Sequence, residues 1–276
     1  MAVLETPVKV HETVVCDRRE PLPGIVILGL HAPALARATR PGQFVMAVTP
    51  SGERVATALG IYEAAGERVS LMLVVVGPRT REIGLLARGD TLCLAGPLGN
   101  GFDIPALGKS VVLVAGGVGI ASLLLPAQHL TAGGATVHLY YGARTAGALV
   151  DDELFEGLGV GVSLATDDGS RGHHGYVTDL LKLRERPYEA IAACGPSPML
   201  RAVAAIARTQ GVRAQLSLEE TFACGVGACW GCVVPLALAS AQAPSFPAPA
   251  PGETRDYVHA RICREGPVFW SDELRW

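Results

Sequence analysis

The 276-residue chain carries 23 basic against 26 acidic side chains, a formal charge of −3, and 49% hydrophobic residues. Its charges are dispersed without a basic patch, which excludes a phosphate-backbone partner. The longest apolar runs, such as residues 69–76, fall far short of the roughly 20 residues that span a bilayer, and no secretory leader pattern opens the chain, so a cytoplasmic protein of about two domains plus a small appendage is expected.

In chain order, residues 1–105 show short β-rich runs at 8–15, 24–30, 43–48, 69–76 and 91–95. Pro41-Gly42, Ser51-Gly52 and Gly89-Asp90 punctuate them, and this pattern predicts a small antiparallel barrel. Near residues 99–108 the character changes. An apolar strand at 111–115 meets a glycine turn and a helix-like run at 120–130. Further runs follow at 135–141, 162–166, 177–182, 190–194 and 198–208, the alternation of a parallel α/β sheet over 106–213. A third region, 214–276, holds four cysteines and a proline- and alanine-rich stretch at 235–253 that is expected to lack regular structure.

Three of those cysteines, Cys224, Cys229 and Cys232, have C-x4-C-x2-C spacing, and Cys263 follows at a distance. This is the ligand pattern of a plant-type 2Fe-2S cluster. Gly225, Gly227, Ala228 and Gly231 allow the chain to turn tightly and aim N–H groups at sulfur. Structural zinc is the alternative, but it usually takes two short knuckles, and only Cys229 and Cys232 form one here. A disulfide reading is disfavoured by the missing leader and by the scattered Cys16, Cys93 and Cys194. The long gap before Cys263 is no obstacle, because lengthening a loop from roughly 12 to 30 residues adds only about 0.8 kcal/mol.

Gly116, Gly117 and Gly119 stand where a strand turns into a helix, a place where backbone can approach a pyrophosphate. The same turn recurs without a ligand in doubly wound sheets. A second such turn, Cys194-Gly195-Pro196, comes later in the same predicted sheet, and the two would frame one crevice at the strand ends. In the barrel, Arg54-Val55-Ala56-Thr57 and Gly77-Pro78-Arg79-Thr80 could offer cationic and hydroxyl donors to a flavin. Taken singly, such residues are more often solvated surface groups. No catalytic acid or base is assigned. His129, His173 and His174 lie in no base-orienter constellation and read as surface or packing residues.

The order Arg-x-x-Thr, Gly-x-x-Thr, Gly96-Pro97-Leu98-Gly99-Asn100-Gly101-Phe102, Gly-Gly-Val-Gly-Ile-Ala, Cys-Gly-Pro-x-Pro-Met and Ser217-Leu218-Glu219-Glu220 before the cysteines resembles the electron-transfer subunit of dihydroorotate dehydrogenase B. The likeness spans nearly the whole chain, and residues 165–170 and 175–179 fit it too. It implies a ferredoxin-reductase-like architecture: an FAD-binding barrel, a nicotinamide-binding α/β domain and a C-terminal 2Fe-2S domain. It further implies that Arg54 to Thr57, Met72, Leu73, Val74, Arg79 and Thr80 line FAD, with Thr57 near the isoalloxazine, and that the four cysteines hold the cluster.

By the same resemblance, an FMN-containing catalytic subunit oxidises dihydroorotate in pyrimidine biosynthesis. Electrons pass through the cluster and FAD to NAD+, within a heterotetramer. Related subunits of NADH-dependent ferredoxin:NADP oxidoreductases and sulfide dehydrogenases share these motifs, and a zinc-stabilised module without redox cofactors is the non-enzymatic alternative. Val55, Pro78-Arg79, Ser122 and the 235–253 insertion depart from the family pattern. Arg144 bears on the choice between NAD and NADP, and NAD is preferred by resemblance alone.

Overall fold

A computed structural model describes residues 8–52, 56–183, 187–237 and 256–276. Its first part is a closed barrel of six antiparallel strands: β1 (Val10–Leu22), β2 (Ile25–His31), β3 (Phe44–Val48), β4 (Thr57–Ala65), β5 (Arg68–Val74) and β6 (Thr91–Leu98), ordered β1-β2-β5-β4-β3-β6. Closure leaves no free edge. Helix α1 (Pro33–Ala38) sends the fully buried Leu35 into the barrel core, alongside Leu28, Val45 and Leu94. That single side chain contributes roughly 2 kcal/mol.

Strand β1 runs well beyond residue 15, because bulges between Val15 and Asp17 and between Arg19 and Leu22 let the charged stretch Asp17 to Glu20 face outward while pairing continues. Strand β4 was not foreseen. Its Ala-rich sequence has little intrinsic β-preference and is held by partners on both sides, β3 and β5.

Part of the barrel's outer surface is apolar too. Ile27, Tyr62 and Met72 are buried in one cluster with Ile120, Leu123 and Leu124 of the next region, which glues the two together. On the opposite side Phe44, Met46 and Leu98 join a cluster that includes Cys232, Ile262 and Cys263.

The second part is a sheet whose first six strands are β7 (Ser110–Gly116), β8 (Thr136–Ala143), β9 (Gly161–Thr166), β10 (His173–His174), β11 (Ala190–Cys194) and β12 (Arg213–Ser217). All are parallel, in the order β10-β9-β8-β7-β11-β12. Helices α3 (Leu124–Ala132), α5 (Val177–Leu183) and α6 (Ser197–Gln210) provide the crossovers. Direction of travel across the sheet reverses between β7 and β11, and at such a point the carboxyl ends of the strands open a crevice.

The C-terminal region is not free-standing. Its strand β15 (Val268–Trp270) pairs antiparallel with β12 and extends the central sheet. β13 (Val233–Ala237) and β14 (Tyr257–Arg261) make a two-stranded ladder. Residues 235–237 belong to the stretch expected to lack regular structure, yet Pro235, Leu236 and Ala237 lie in β13. On the side away from β14, Leu236 bridges Leu274 and the Pro235 carbonyl accepts the Arg275 N–H at 2.9 Å, so the proline takes part in the pairing through its carbonyl. Residues 238–253 of the expected linker lie outside the described residues. Among the described residues no helix is long and apolar enough to cross a membrane.

Candidate functional site: a dinucleotide crevice and a cysteine loop on either side of the barrel

At the switch point a cavity of about 810 Å³ is lined by Gly116 and Gly117 after β7, Gly142 and Arg144 after β8, Asp167 after β9, and Pro196 and Met199 after β11. Both sequence-predicted glycine turns therefore meet in one crevice. Their glycines do different jobs. A Cβ on Gly119 would lie 2.3 Å from the Cys194 carbonyl oxygen, and one on Gly116 would lie 2.6 Å from the Met199 sulfur, so these two let the turns touch. Gly117, at φ +53°, has open space around its Cα and lines the cavity. The turn continues as a 3-10 segment, Gly117–Ser122, and the regular helix starts only at Leu124. Leu22, Pro23 and Ile25 of the barrel form the facing wall, which the sequence did not announce.

Behind the glycine turns the Cys194 thiol is fully buried and lies 3.6 Å from Glu219 Oε1. Burial, aided by the Glu219 charge, pushes the thiol pKa up to about 12. Glu219 is also raised, by burial against the hydrogen bond from Cys194. Its carboxyl is crowded by protein although the residue as a whole is exposed.

On the barrel side Thr57 Oγ1 is buried without a hydrogen-bond partner among the described residues. An orphaned buried hydroxyl costs about 1–3 kcal/mol, and a flavin edge would satisfy it. Arg54 and Val55 lie outside the described residues, and Ala56 is half-buried beside Thr57. Leu73 points into the barrel core and Met72 into the interdomain cluster, so at these two positions the backbone is what remains to face a ligand; Val74 is half-buried. Gly77 and Thr80 open a short helix α2 (Pro78–Gly84) that also contains Arg79. Thr80 Oγ1 accepts the N–H groups of Val76 and Gly77 at 3.0 and 3.1 Å, which fixes this turn.

The cysteine loop lies on the other side of the barrel. Phe222 packs against Phe44 of β3 with ring centroids 4.9 Å apart and planes tilted by 52°. A Cβ on Gly225 would lie 2.5 Å from the Met46 side chain, so glycine there lets the loop settle on the same strand. Amide groups point at sulfur, as Cys229 N–H lies 3.5 Å from Cys224 Sγ, Gly231 N–H 3.4 Å from Cys229 Sγ, and Cys263 N–H 3.4 Å from Cys232 Sγ. Burial opposes ionisation of Cys224, but donors from Cys229, Val226 and Ala228 outweigh it and lower its pKa to about 6. Cys263 is raised by burial and by the neighbouring Cys232.

The thiols pair two by two, Cys224 with Cys229 and Cys232 with Cys263. Among the described residues no group of three or more possible ligands gathers around one ion position. Thiol pairs with N–H groups directed at sulfur fit a binuclear cluster, in which each metal takes two cysteines. The ladder explains how Cys263 reaches the others. Val233 pairs with Arg261 and Ile262 N–H donates to Cys232 O at 2.7 Å, so β13 and β14 bring Cys232 and Cys263 together whatever lies between the strands.

No protein-family model matches the chain. Curated relatives do. It is 35% identical over 234 residues to the dihydroorotate dehydrogenase B (NAD+) electron transfer subunit of Caldanaerobacter subterraneus subsp. tengcongensis, covering 85% of this chain and 86% of that one. With the Enterococcus faecalis subunit of the same name it shares 33% identity over 260 residues, covering 91% and 93%.

The chain belongs to the family of dihydroorotate dehydrogenase B electron transfer subunits.

Solved structures agree on the family's architecture. An NADH-dependent reduced ferredoxin-NADP oxidoreductase, described in connection with flavin-based electron bifurcation, is 28% identical with a TM-score of 0.79, covering 96% of this chain and 90% of that one. A ferredoxin NADP+ reductase from Neisseria gonorrhoeae with bound FAD and NADP is 18% identical with a TM-score of 0.64, covering 74% and 92%, a likeness of fold.

Proposed function

We propose that this chain passes electrons from an FMN-containing catalytic subunit, a dihydroorotate dehydrogenase, to NAD+ in pyrimidine biosynthesis, as part of a cytoplasmic heterotetramer. The observation that carries the reading is the placement of a four-cysteine loop and a dinucleotide crevice on either side of one barrel whose Thr57 hydroxyl has no partner among the described residues. When bound, a 2Fe-2S cluster supplies one-electron steps, FAD converts between single electrons and pairs, and NAD+ accepts hydride.

The residues divide the work. Cys224, Cys229, Cys232 and Cys263 would hold the cluster, within a unit taken as 214–276. Residues 1–105 would hold FAD through Arg54, Val55, Ala56, Thr57, the backbone of Met72, Leu73 and Val74, and the turn Gly77, Arg79 and Thr80. Residues 106–213 would hold NAD(H) at Gly116, Gly117 and Gly119 and at Cys194, Gly195 and Pro196. No side chain is assigned as a catalytic acid or base.

A second reading keeps the cofactors and exchanges the partner. It is favoured by the 28% identical ferredoxin-NADP oxidoreductase structure, which matches 96% of the chain. Co-expression with a dihydroorotate dehydrogenase catalytic subunit tests the choice. Copurification with dihydroorotate-dependent NAD+ reduction supports the first reading; failure of that pair, with ferredoxin-dependent NADP+ reduction in its place, supports the second.

A further inference from the structure

Arg261 ends β14, two residues before Cys263, and is only 8% exposed. Its guanidinium forks onto Glu265, with Nε donating to Oε2 at 3.1 Å and Nη2 to Oε1. The remaining arm, Nη1, donates to the carbonyl oxygen of Gly227 at 2.8 Å. The guanidinium carbon also lies 4.4 Å from the centre of the Trp230 ring. One side chain thus grips the cysteine loop at two points on either side of Ala228 and Cys229.

Both gripped residues have left-handed backbone, Gly227 at φ +79° and Trp230 at φ +56°. For a bulky tryptophan that conformation is unfavourable and persists only if the surroundings enforce it. A larger residue at 227 would be strained by the backbone angle, and its Cβ would lie 2.7 Å from Arg264 Cδ and 3.4 Å from Arg261 Cζ. Cys229, the exposed thiol of the four, sits in the middle of this braced stretch.

We propose that Arg261 is a positioning residue that braces the 227–230 loop, fixes the direction of the Cys229 thiolate and thereby sets the stability and reduction potential of the cluster, with Glu265 locking the guanidinium in place. This rests on the cluster reading above. Lysine cannot replace it, because an ammonium has no planar fork with which to hold Glu265 while also reaching Gly227 and stacking on Trp230. The Glu265 carboxylate offsets much of the arginine charge, so the brace acts through geometry first and charge second.

The test uses the full chain purified anaerobically with its cofactors, as wild type, Arg261→Lys and Arg261→Met. Readouts are the rate of iron release to a chelator, the EPR signal and the cluster midpoint potential, with NADH reduction of the flavin as a check that barrel and crevice are intact. Both variants are expected to lose iron roughly 10- to 100-fold faster, the usual penalty for losing an outer-shell partner. Arg261→Met should also shift the potential to more negative values, and Arg261→Lys should shift it less. Iron-loaded variants with wild-type release rate, EPR signal and potential overturn the proposal alone. A wild-type chain that binds no iron overturns the cluster reading, and this proposal with it.

Discussion

Tyr62→Phe and Asp151→Asn probe the joint between the barrel and the dinucleotide region. Asp151 stands just before helix α4 (Asp152–Gly157) in left-handed backbone at φ +57°. Its carboxylate receives Arg19 Nη1 at 2.8 Å and Nη2 at 2.5 Å from β1, and the Tyr62 hydroxyl at 2.6 Å from β4. Arg19 is 40% exposed and Asp151 10% exposed at their side chains, so the ion pair itself is screened and worth at most about 1 kcal/mol. Tyr62 is 2% exposed, and its bond to a charged acceptor is worth about 2 kcal/mol.

Asp151→Asn should therefore cost about 2–3 kcal/mol and Tyr62→Phe about 2 kcal/mol. At roughly 2–4 °C per kcal/mol in a chain of this size, melting falls by about 4–12 °C and 4–8 °C respectively. The effect depends on pH. Burial alone would raise the Asp151 pKa, but the hydrogen bonds from Arg19 and Tyr62 and the Arg19 charge hold it below its ordinary 3.8. A depressed carboxylate contributes stability that is present above that ordinary value and lost as pH falls through the folded value.

Calorimetric melts from pH 8 downward should show a constant gap between wild type and Asp151→Asn until about pH 4, and a shrinking gap below it. The same clamp sits three residues from Leu22 and from Ala148, which line opposite walls of the dinucleotide cavity, so KM for NADH should rise in the variant. An unchanged melt at pH 7, or a gap that persists undiminished in acid, would refute the reasoning.

Gly119→Ala should destabilise by about 1–3 kcal/mol through overpacking against the Cys194 carbonyl and weaken dinucleotide binding, measured by melting and by NADH titration. Glu219→Gln should act in the opposite sense. Burial raises the Glu219 pKa above 4.5, so its contribution is greatest below that value and is lost as pH rises through the raised one. The glutamine variant should melt higher than wild type at pH 8, with the difference closing below pH 4.5.

What the sequence made legible was local. The C-x4-C-x2-C spacing and the two glycine turns are short-range patterns whose chemistry is written in adjacent residues, and the structure brings both glycine turns into one crevice. What it hid was long-range. Arg19 and Tyr62 stand 132 and 89 residues from Asp151, and all three are ordinary in isolation. Strand β4 is a product of its neighbours, and β13 was obscured because Pro235 reads as linker unless its distant partners, His259 and Arg275, are known. Arg261 sat in plain view beside Cys263, but only its contact with Gly227 makes it more than another surface cation.

The most direct measurement is the visible absorption spectrum of the anaerobically purified chain, with iron, sulfide and flavin assayed on the same sample. The account predicts flavin bands over broad iron-sulfur absorption, bleached by NADH, with about two irons per chain. A colourless, zinc-containing protein that stays colourless after reconstitution with iron, sulfide and FAD would contradict it.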